Sequence, residues 1–303
     1  MIASLWGVEG SGKSSTGLSF PKPLFHLELD IGGFERAVWR VEEVAKKAGT
    51  PLRIKVCGVK EDVSQIDWSK WDIVSKPYVT PIQLEKLMGI QQQAGVSVRF
   101  PREIRGVKET WQELVSDMVT VGQVPLVRTI MQDSATQAWW ICHTGFLQEK
   151  QEIQIANKMK TTDPLFREKL QPVEFPNNRM RDLIYAIGSM GKHLVMTHYP
   201  KDIYANKVTD KGIESYATGE VTPDGFKHTV TLDDLVLWCY AEVDKRKEIL
   251  KGVPNPDYNK PVPRTRISLK CGLRGLGMKA VGLELPTPDY AGLMELQSMM
   301  GGE

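Results

Sequence analysis

The chain has 303 residues, of which 41% are hydrophobic and 25% charged, the balance of an ordinary globular protein with enough apolar material for a sizeable core. A formal net charge of +2 argues against a strongly basic nucleic-acid binder and leaves room only for a local basic patch. No apolar run approaches the roughly 20 residues that span a bilayer, and Met1–Trp6 is too short for a signal peptide, so a cytoplasmic chain without a membrane partner is expected.

Taken in order, Ile2–Trp6 reads as a buried strand that ends at Gly7. Lys13–Phe20 should be a helix stopped by Pro21 and Pro23. Leu24–Leu29 is a second expected strand, followed by the turn Asp30-Ile-Gly-Gly. Phe34–Lys47 has helical periodicity, with Val38, Val41 and Val44 on one face. Leu52–Val56 reads as another strand. Between Glu61 and Arg105, the tryptophans, prolines and Gln91–Gln93 suggest an insertion or peripheral loop region rather than a central strand.

Lys108–Val119 is an expected helix leading into the apolar run Val124–Met131, and Ala135–Gln148 is expected to be helical. Gln151–Pro172 is polar and poor in apolar residues. Asn177–Met190 is an amphipathic helix, and Lys192–Thr197 a strand ending at His198. This alternation predicts an α/β fold with a mainly parallel central sheet and helices on both faces. Gly212–Val230, Leu235–Val243 and Thr265–Leu269 suggest added antiparallel or edge strands, and Pro286–Met299 a closing helix. We read residues 1–303 as one domain, with 61–105 as an insertion and 212–303 as a C-terminal β extension. Cys57, Cys142, Cys239 and Cys271 lie far apart with no CxxC pair, as expected of reduced, buried thiols.

Gly7-Val8-Glu9-Gly10-Ser11-Gly12-Lys13-Ser14 fits GxxxxGK[ST] at every specified position, between an expected strand and an expected helix. Glycines let such a loop curl until its backbone N–H groups form an anion nest, and the helix N-terminus adds its dipole. Nucleotide contacts are therefore expected along Gly7–Ser15, including Ser15. Lys13 should reach the β- and γ-phosphates of ATP, and the Ser14 hydroxyl should ligate Mg2+.

Such a site needs a carboxylate at the end of another core strand, and Asp133 is the candidate magnesium residue; Asp133-Ser134 would equally cap the helix that follows. Glu28 and Asp30 lie on the second strand and its exit. Asp30, at the carboxyl end of its strand, is the candidate catalytic carboxylate. His198, on the same edge, is a candidate γ-phosphate contact. Glu9 could face the nucleotide or a neighbour.

The segments Trp6–Ser15, Leu24–Gly33, Thr129–Thr136 and His193–Asp202 together resemble the RecA-like ATPase core. The resemblance is to the small phage-encoded, core-only RecA-like proteins associated with single-strand annealing. Asp233–Lys245 and Gly282–Leu296 are similar to that group's closing strands and helix, and only the phosphate loop is highly specific. The resemblance implies an ATP-hydrolysing protein of phage DNA recombination or replication. It would act on single-stranded DNA as an oligomeric ring or filament in the host cytoplasm, with a single-strand-binding or annealing protein as partner. It also implies the roles of Lys13, Ser14, Asp133, Asp30 and His198. Asp30 stands where glutamate is usual, which implies slower turnover. In such assemblies a basic residue can complete a neighbour's site, and Lys270 or Arg274 is the candidate.

For DNA, the candidates are Lys158, Lys160, Arg167 and Lys169, with Phe166 as a stacking aromatic. Trp68, Trp71, Trp139 and Trp140 read as core or subunit contacts. Two other functions use the same loop. One is a small-molecule or nucleotide kinase, for which Arg179 and Arg181 are the nearest approach to an arginine lid. The other is a nucleotide-gated assembly protein with little turnover.

Overall fold

The structure, a computed structural model, describes residues 1–30, 32–81, 103–160, 174–209, 212–226, 228–243, 249–250, 253–254 and 261–301. Its centre is an eight-stranded sheet. From one edge to the other run β3 (Ile54–Val56), β4 (Ile73–Pro77), β2 (Leu24–Glu28), β5 (Thr129–Asp133), β6 (His193–His198), β1 (Ile2–Trp6), β9 (Leu235–Val243) and β12 (Pro261–Cys271). Every neighbouring pair is parallel except β9 with β12.

Alternation along the strands divides the core into two layers. In β5 and β6, Ile130, Leu194 and Met196 face one layer while Met131 and Val195 face the other. The first layer is filled from α3 (Val107–Gly122), α4 (Ala135–Ala156) and α5 (Glu174–Ser189), through Leu114, Met118, Cys142, Leu183 and Ile187. The second layer takes Leu18 of α1 (Lys13–Leu18) and Phe34 and Val38 of α2 (Gly33–Lys47). It also takes Leu293 of α7 (Tyr290–Met299), which follows the four-residue helix α6 (Thr229–Leu232). Fully burying each such leucine or phenylalanine contributes about 1.5–3 kcal/mol. All four cysteines are buried and unpaired in disulfides.

Local chemistry explains the helix ends. The Lys22 ammonium donates to the carbonyls of Leu18 and Phe20 at 2.7 and 2.6 Å, closing α1 after its six residues. Ser134 caps α4 by accepting from the Gln137 N–H at 3.3 Å. The cap is therefore the serine, and the Asp133 carboxylate is left for other partners. Gln148 Oε1 accepts from the N–H groups of Val107 and Lys108, satisfying the start of α3.

One expectation is corrected. Between Glu61 and Arg105 a peripheral loop region was expected, yet Ile73–Pro77 forms an internal strand between β2 and β3. Ser75 and Lys76 disguise it, because both are polar and both are buried. Ser75 Oγ pairs with His26 Nδ1 at 2.8 Å, and Lys76 donates to Asp117 at 2.6 Å and Glu113 at 2.9 Å. The partners come from β2 and α3, distant in sequence. Trp68 belongs to the first layer, edge-on to Phe25.

After β6 the chain enters a long antiparallel hairpin, β7 (Pro200–Thr209) with β8 (Gly212–Pro223), and after β9 a short one, β10 (Ile249–Leu250) with β11 (Val253–Pro254). Leu283–Leu285 runs along the outer side of β12, with Ile267 N–H donating to Leu283 O and Leu285 N–H to Thr265 O. Among the described residues no helix is long and apolar enough to cross a membrane.

Candidate functional site

The loop between β1 and α1 is shaped by its glycines. Gly10 and Gly12 have φ of +75° and +92°, the left-handed region open to glycine. Gly7 is constrained by space as well as φ, because a Cβ there would stand 2.1 Å from the Cys239 carbonyl oxygen on β9. The loop therefore curls tightly over the sheet edge and delivers its chain to the N-terminus of α1. Ser11 Oγ is buried in this curl with no hydrogen-bond partner among the described residues. The Lys13 ammonium donates to the carbonyls of Gly7 and Val8 at 2.7 and 2.9 Å and lies 5.0 Å from the Tyr199 ring centroid. Burial lowers its pKa from the ordinary lysine value.

Adjacent strand ends bring the acidic residues to the same place. β2 and β5 run in register, Glu28 opposite Asp133, and the Leu29 N–H donates to the Asp133 carbonyl at 2.7 Å. Both Asp30 and Asp133 line a cavity of about 270 Å³ together with Glu9–Ser15. Burial pushes the Asp133 carboxyl up. Hydrogen bonds from His26, Ser14 and Thr197 more than offset this and hold it below the usual carboxylate value. His26 Nε2 stands 3.5 Å from Asp133 Oδ2, and the Thr197 hydroxyl donates to Oδ1. Asp30 accepts from the Tyr199 hydroxyl at 2.8 Å. Burial, with the Asp30 carboxylate next, raises the Tyr199 pKa, so the phenol stays a donor. Glu28 does not line the cavity; it accepts from the Phe34 N–H at the start of α2.

Other candidates fall elsewhere. His198 is buried, with Nε2 3.0 Å from Ser4 Oγ and Nδ1 2.8 Å from the Asp224 carbonyl oxygen. Burial lowers its pKa to about 4. It does not line the cavity; its strand neighbours Thr197 and Tyr199 do. Lys270 and Arg274 lie toward the end of β12 that pairs with the start of β9, at the opposite edge of the sheet from the P-loop. Lys270 donates to the Thr231 carbonyl at 2.8 Å. Lys158 and Lys160 are exposed beyond the end of α4, while Phe166, Arg167 and Lys169 lie outside the described residues.

Thr197, Tyr199, His26 and Arg36 were not singled out in the sequence. The period of two places Thr197 and Tyr199 on the opposite side from His198, a usable signal. His26 sits inside an apolar strand, where nothing in sequence announces its partners Ser75 and Asp133.

No family model matches the chain, and no curated protein matches it. Among solved structures, a KaiC-like protein from the hyperthermophilic archaeon Pyrococcus horikoshii is similar, with 9% identity and a TM-score of 0.36. The similarity covers 88% of this chain and 77% of that one.

The strand order itself is informative. β6 separates the P-loop strand β1 from β5, which carries Asp133, and β2 with Asp30 lies beyond β5. The fold is a mainly parallel α/β core that carries the phosphate-loop sequence at the carboxyl end of β1. Its residues fit a magnesium nucleotide: a curled loop with an orphaned buried hydroxyl at Ser11, a lysine at the helix start, and an ionised aspartate beside Ser14. Among the described residues no group of three or more His, Cys, Asp or Glu side chains could hold a metal by itself. Ser14 and Asp133 would hold magnesium together with phosphate oxygens, as P-loop sites do.

Proposed function

We propose that this chain is a magnesium-dependent ATPase of phage DNA recombination or replication that acts on single-stranded DNA as an oligomer. The observation that carries the ATPase reading is the pairing of Asp30 and Asp133 on neighbouring strand ends, facing one P-loop. Lys13 and the loop N–H groups would bind the phosphates, and bound magnesium would neutralise charge that develops on them. Asp133, kept ionised by its hydrogen bonds, suits the metal side. Asp30, oriented by the Tyr199 hydroxyl, suits the task of positioning and deprotonating water.

The DNA reading is supported by the sequence resemblance and by a second groove at the base of the hairpin. Trp139, Arg181, Lys201, Phe226 and His228 line this groove, a mixture of cations and aromatics suited to a strand of nucleic acid. Short hydrogen-bond and chain links run from it to the first cavity. Thr136 Oγ1 donates to the Asp224 carbonyl and accepts from the Tyr199 N–H, and Tyr199 leads directly to Lys201. Lys270 and Arg274, remote from their own P-loop, suit a contribution to a neighbour's site. Of the kinase reading's two candidate lid arginines, Arg179 is held in a two-point ion pair by Glu149, which leaves Arg181 alone for that task.

Phosphate release from ATP and magnesium, with and without single-stranded DNA, tests the proposal when wild type is compared with Lys13→Ala. Stimulation by DNA that disappears in the variant is expected. Lys13-dependent turnover that ignores DNA would remove the DNA reading and keep the ATPase.

A further inference from the structure

Helix α2 carries two arginines toward the P-loop. Arg36 lines the nucleotide cavity beside Gly33 and Ala37, and Arg40 lies one turn further on. The helix is pinned in this orientation by Ser15, whose hydroxyl donates to the Ala37 carbonyl at 3.1 Å. Arg40 Nη1 stands 3.7 Å from the position that a Cβ on Gly12 would take. Both guanidinium groups therefore belong to the rim of the phosphate loop.

Neither arginine makes an ion pair or hydrogen bond among the described residues, although Glu35, Glu42 and Glu43 share the helix. Glu43 pairs instead with Lys47. Like charges four residues apart oppose helix formation, so two unpaired cations at this spacing cost stability unless an anion lies between them and the loop. The cavity already holds Glu9, Asp30 and Asp133 against Lys13. A polyphosphate would add more negative charge than one lysine balances. A guanidinium fork is suited to supplying the remainder, because it binds phosphate oxygens through two parallel hydrogen bonds.

We propose that Arg36 is a nucleotide-contacting residue supplied in cis, binding the polyphosphate held by the chain's own P-loop, with Arg40 beside it raising the local positive potential. The inference rests on the nucleotide-binding reading above. It differs from that reading's neighbour-supplied Lys270 or Arg274, because one subunit then carries a phosphate-binding arginine of its own.

The test is equilibrium binding of a non-hydrolysable ATP analogue with magnesium, over a salt series, to wild type, Arg36→Ala, Arg36→Lys and Lys13→Ala. Arg36→Ala should weaken binding at least fivefold and flatten its salt dependence, with Arg36→Lys recovering part of the loss. Because Arg36 is exposed and unpaired among the described residues, its variants should melt no lower than wild type without nucleotide, which separates a lost contact from a lost fold. If wild type binds, Lys13→Ala does not, and Arg36→Ala matches wild type, the inference alone is overturned. If wild type and Lys13→Ala both fail to bind, the nucleotide reading falls and takes the inference with it.

Discussion

The N–H of Asp30 donates to the carbonyl oxygen of Asp133 at 3.3 Å, so two carboxylates remote in sequence are joined through their backbones. Their surroundings nevertheless differ. Asp133 is buried and held by His26, Ser14 and Thr197, whereas Asp30 is half-buried with the Tyr199 hydroxyl on it. Different environments assign different tasks, and the two should separate under mutation. Asp133→Asn should abolish the magnesium dependence of nucleotide binding. Asp30→Asn should keep binding and lose roughly 10²–10⁴-fold in turnover, the usual range for a lost general base. Nucleotide titration with and without magnesium, beside phosphate release, reads both. Equal loss of binding in the two variants would refute the division.

Tyr199→Phe keeps the ring near the Lys13 ammonium and removes only the hydrogen bond to Asp30. Turnover should fall about tenfold, equivalent to a charge-assisted hydrogen bond of roughly 1.5 kcal/mol, with nucleotide affinity unchanged. A change confined to affinity would place the hydroxyl on the nucleotide rather than on Asp30.

Two glycines of the loop predict unequal costs. Gly7→Ala would drive a methyl group into the Cys239 carbonyl, so β1 and β9 must part; destabilisation of about 3 kcal/mol or more in urea unfolding is expected. Gly10→Ala meets open space and carries only its left-handed backbone penalty, roughly 1–2 kcal/mol. Similar unfolding midpoints for the two variants would contradict the close approach at Gly7.

The pH dependence of stability should contain two opposed contributions. Burial lowers the His198 pKa from 6.5 to about 4. Its contribution is complete above pH 6.5 and is lost as pH falls toward 4, about 3 kcal/mol in all. Burial raises the Asp233 pKa from 3.8 to about 8, against the smaller opposing pull of the Ser4 hydroxyl and the Lys270 ammonium. Its contribution is complete below pH 3.8 and is lost as pH rises through 8. Between about pH 4 and 6.5 the two slopes oppose each other. Relative to wild type, Asp233→Asn should gain stability as pH rises from 4 to 8. His198→Asn should lose stability relative to wild type from 4 to 6.5. Unfolding series at several pH values check this, and parallel curves would refute the assignment.

Much of the architecture was legible because it is local. The P-loop, its flanking strand and helix, and the strand-end position of Asp133 all follow from short patterns. The run Val124–Met131 pointed to the correct strand but started it early, since Val124 opens a turn in which Val127 bonds back to it. β4 was hidden because Ser75 and Lys76 are polar until His26, Glu113 and Asp117 reach them. Tyr199 was passed over in favour of His198, one position earlier, although strand alternation sends the two side chains to opposite sides. What the sequence conceals in each case is a tertiary partner that converts a polar residue into a buried one.

The outer strands of the sheet carry a consequence for assembly. β3 is only three residues long, and short edges offer little template for a further strand. At the far side, Leu283–Leu285 already occupies the outer hydrogen-bonding positions of β12 at Thr265 and Ile267. Neither margin invites β-augmentation by a second copy. Any ring or filament built against the central sheet would therefore join through side-chain surfaces, and the long edges of the two-stranded β7–β8 hairpin are the backbone left to offer a neighbour.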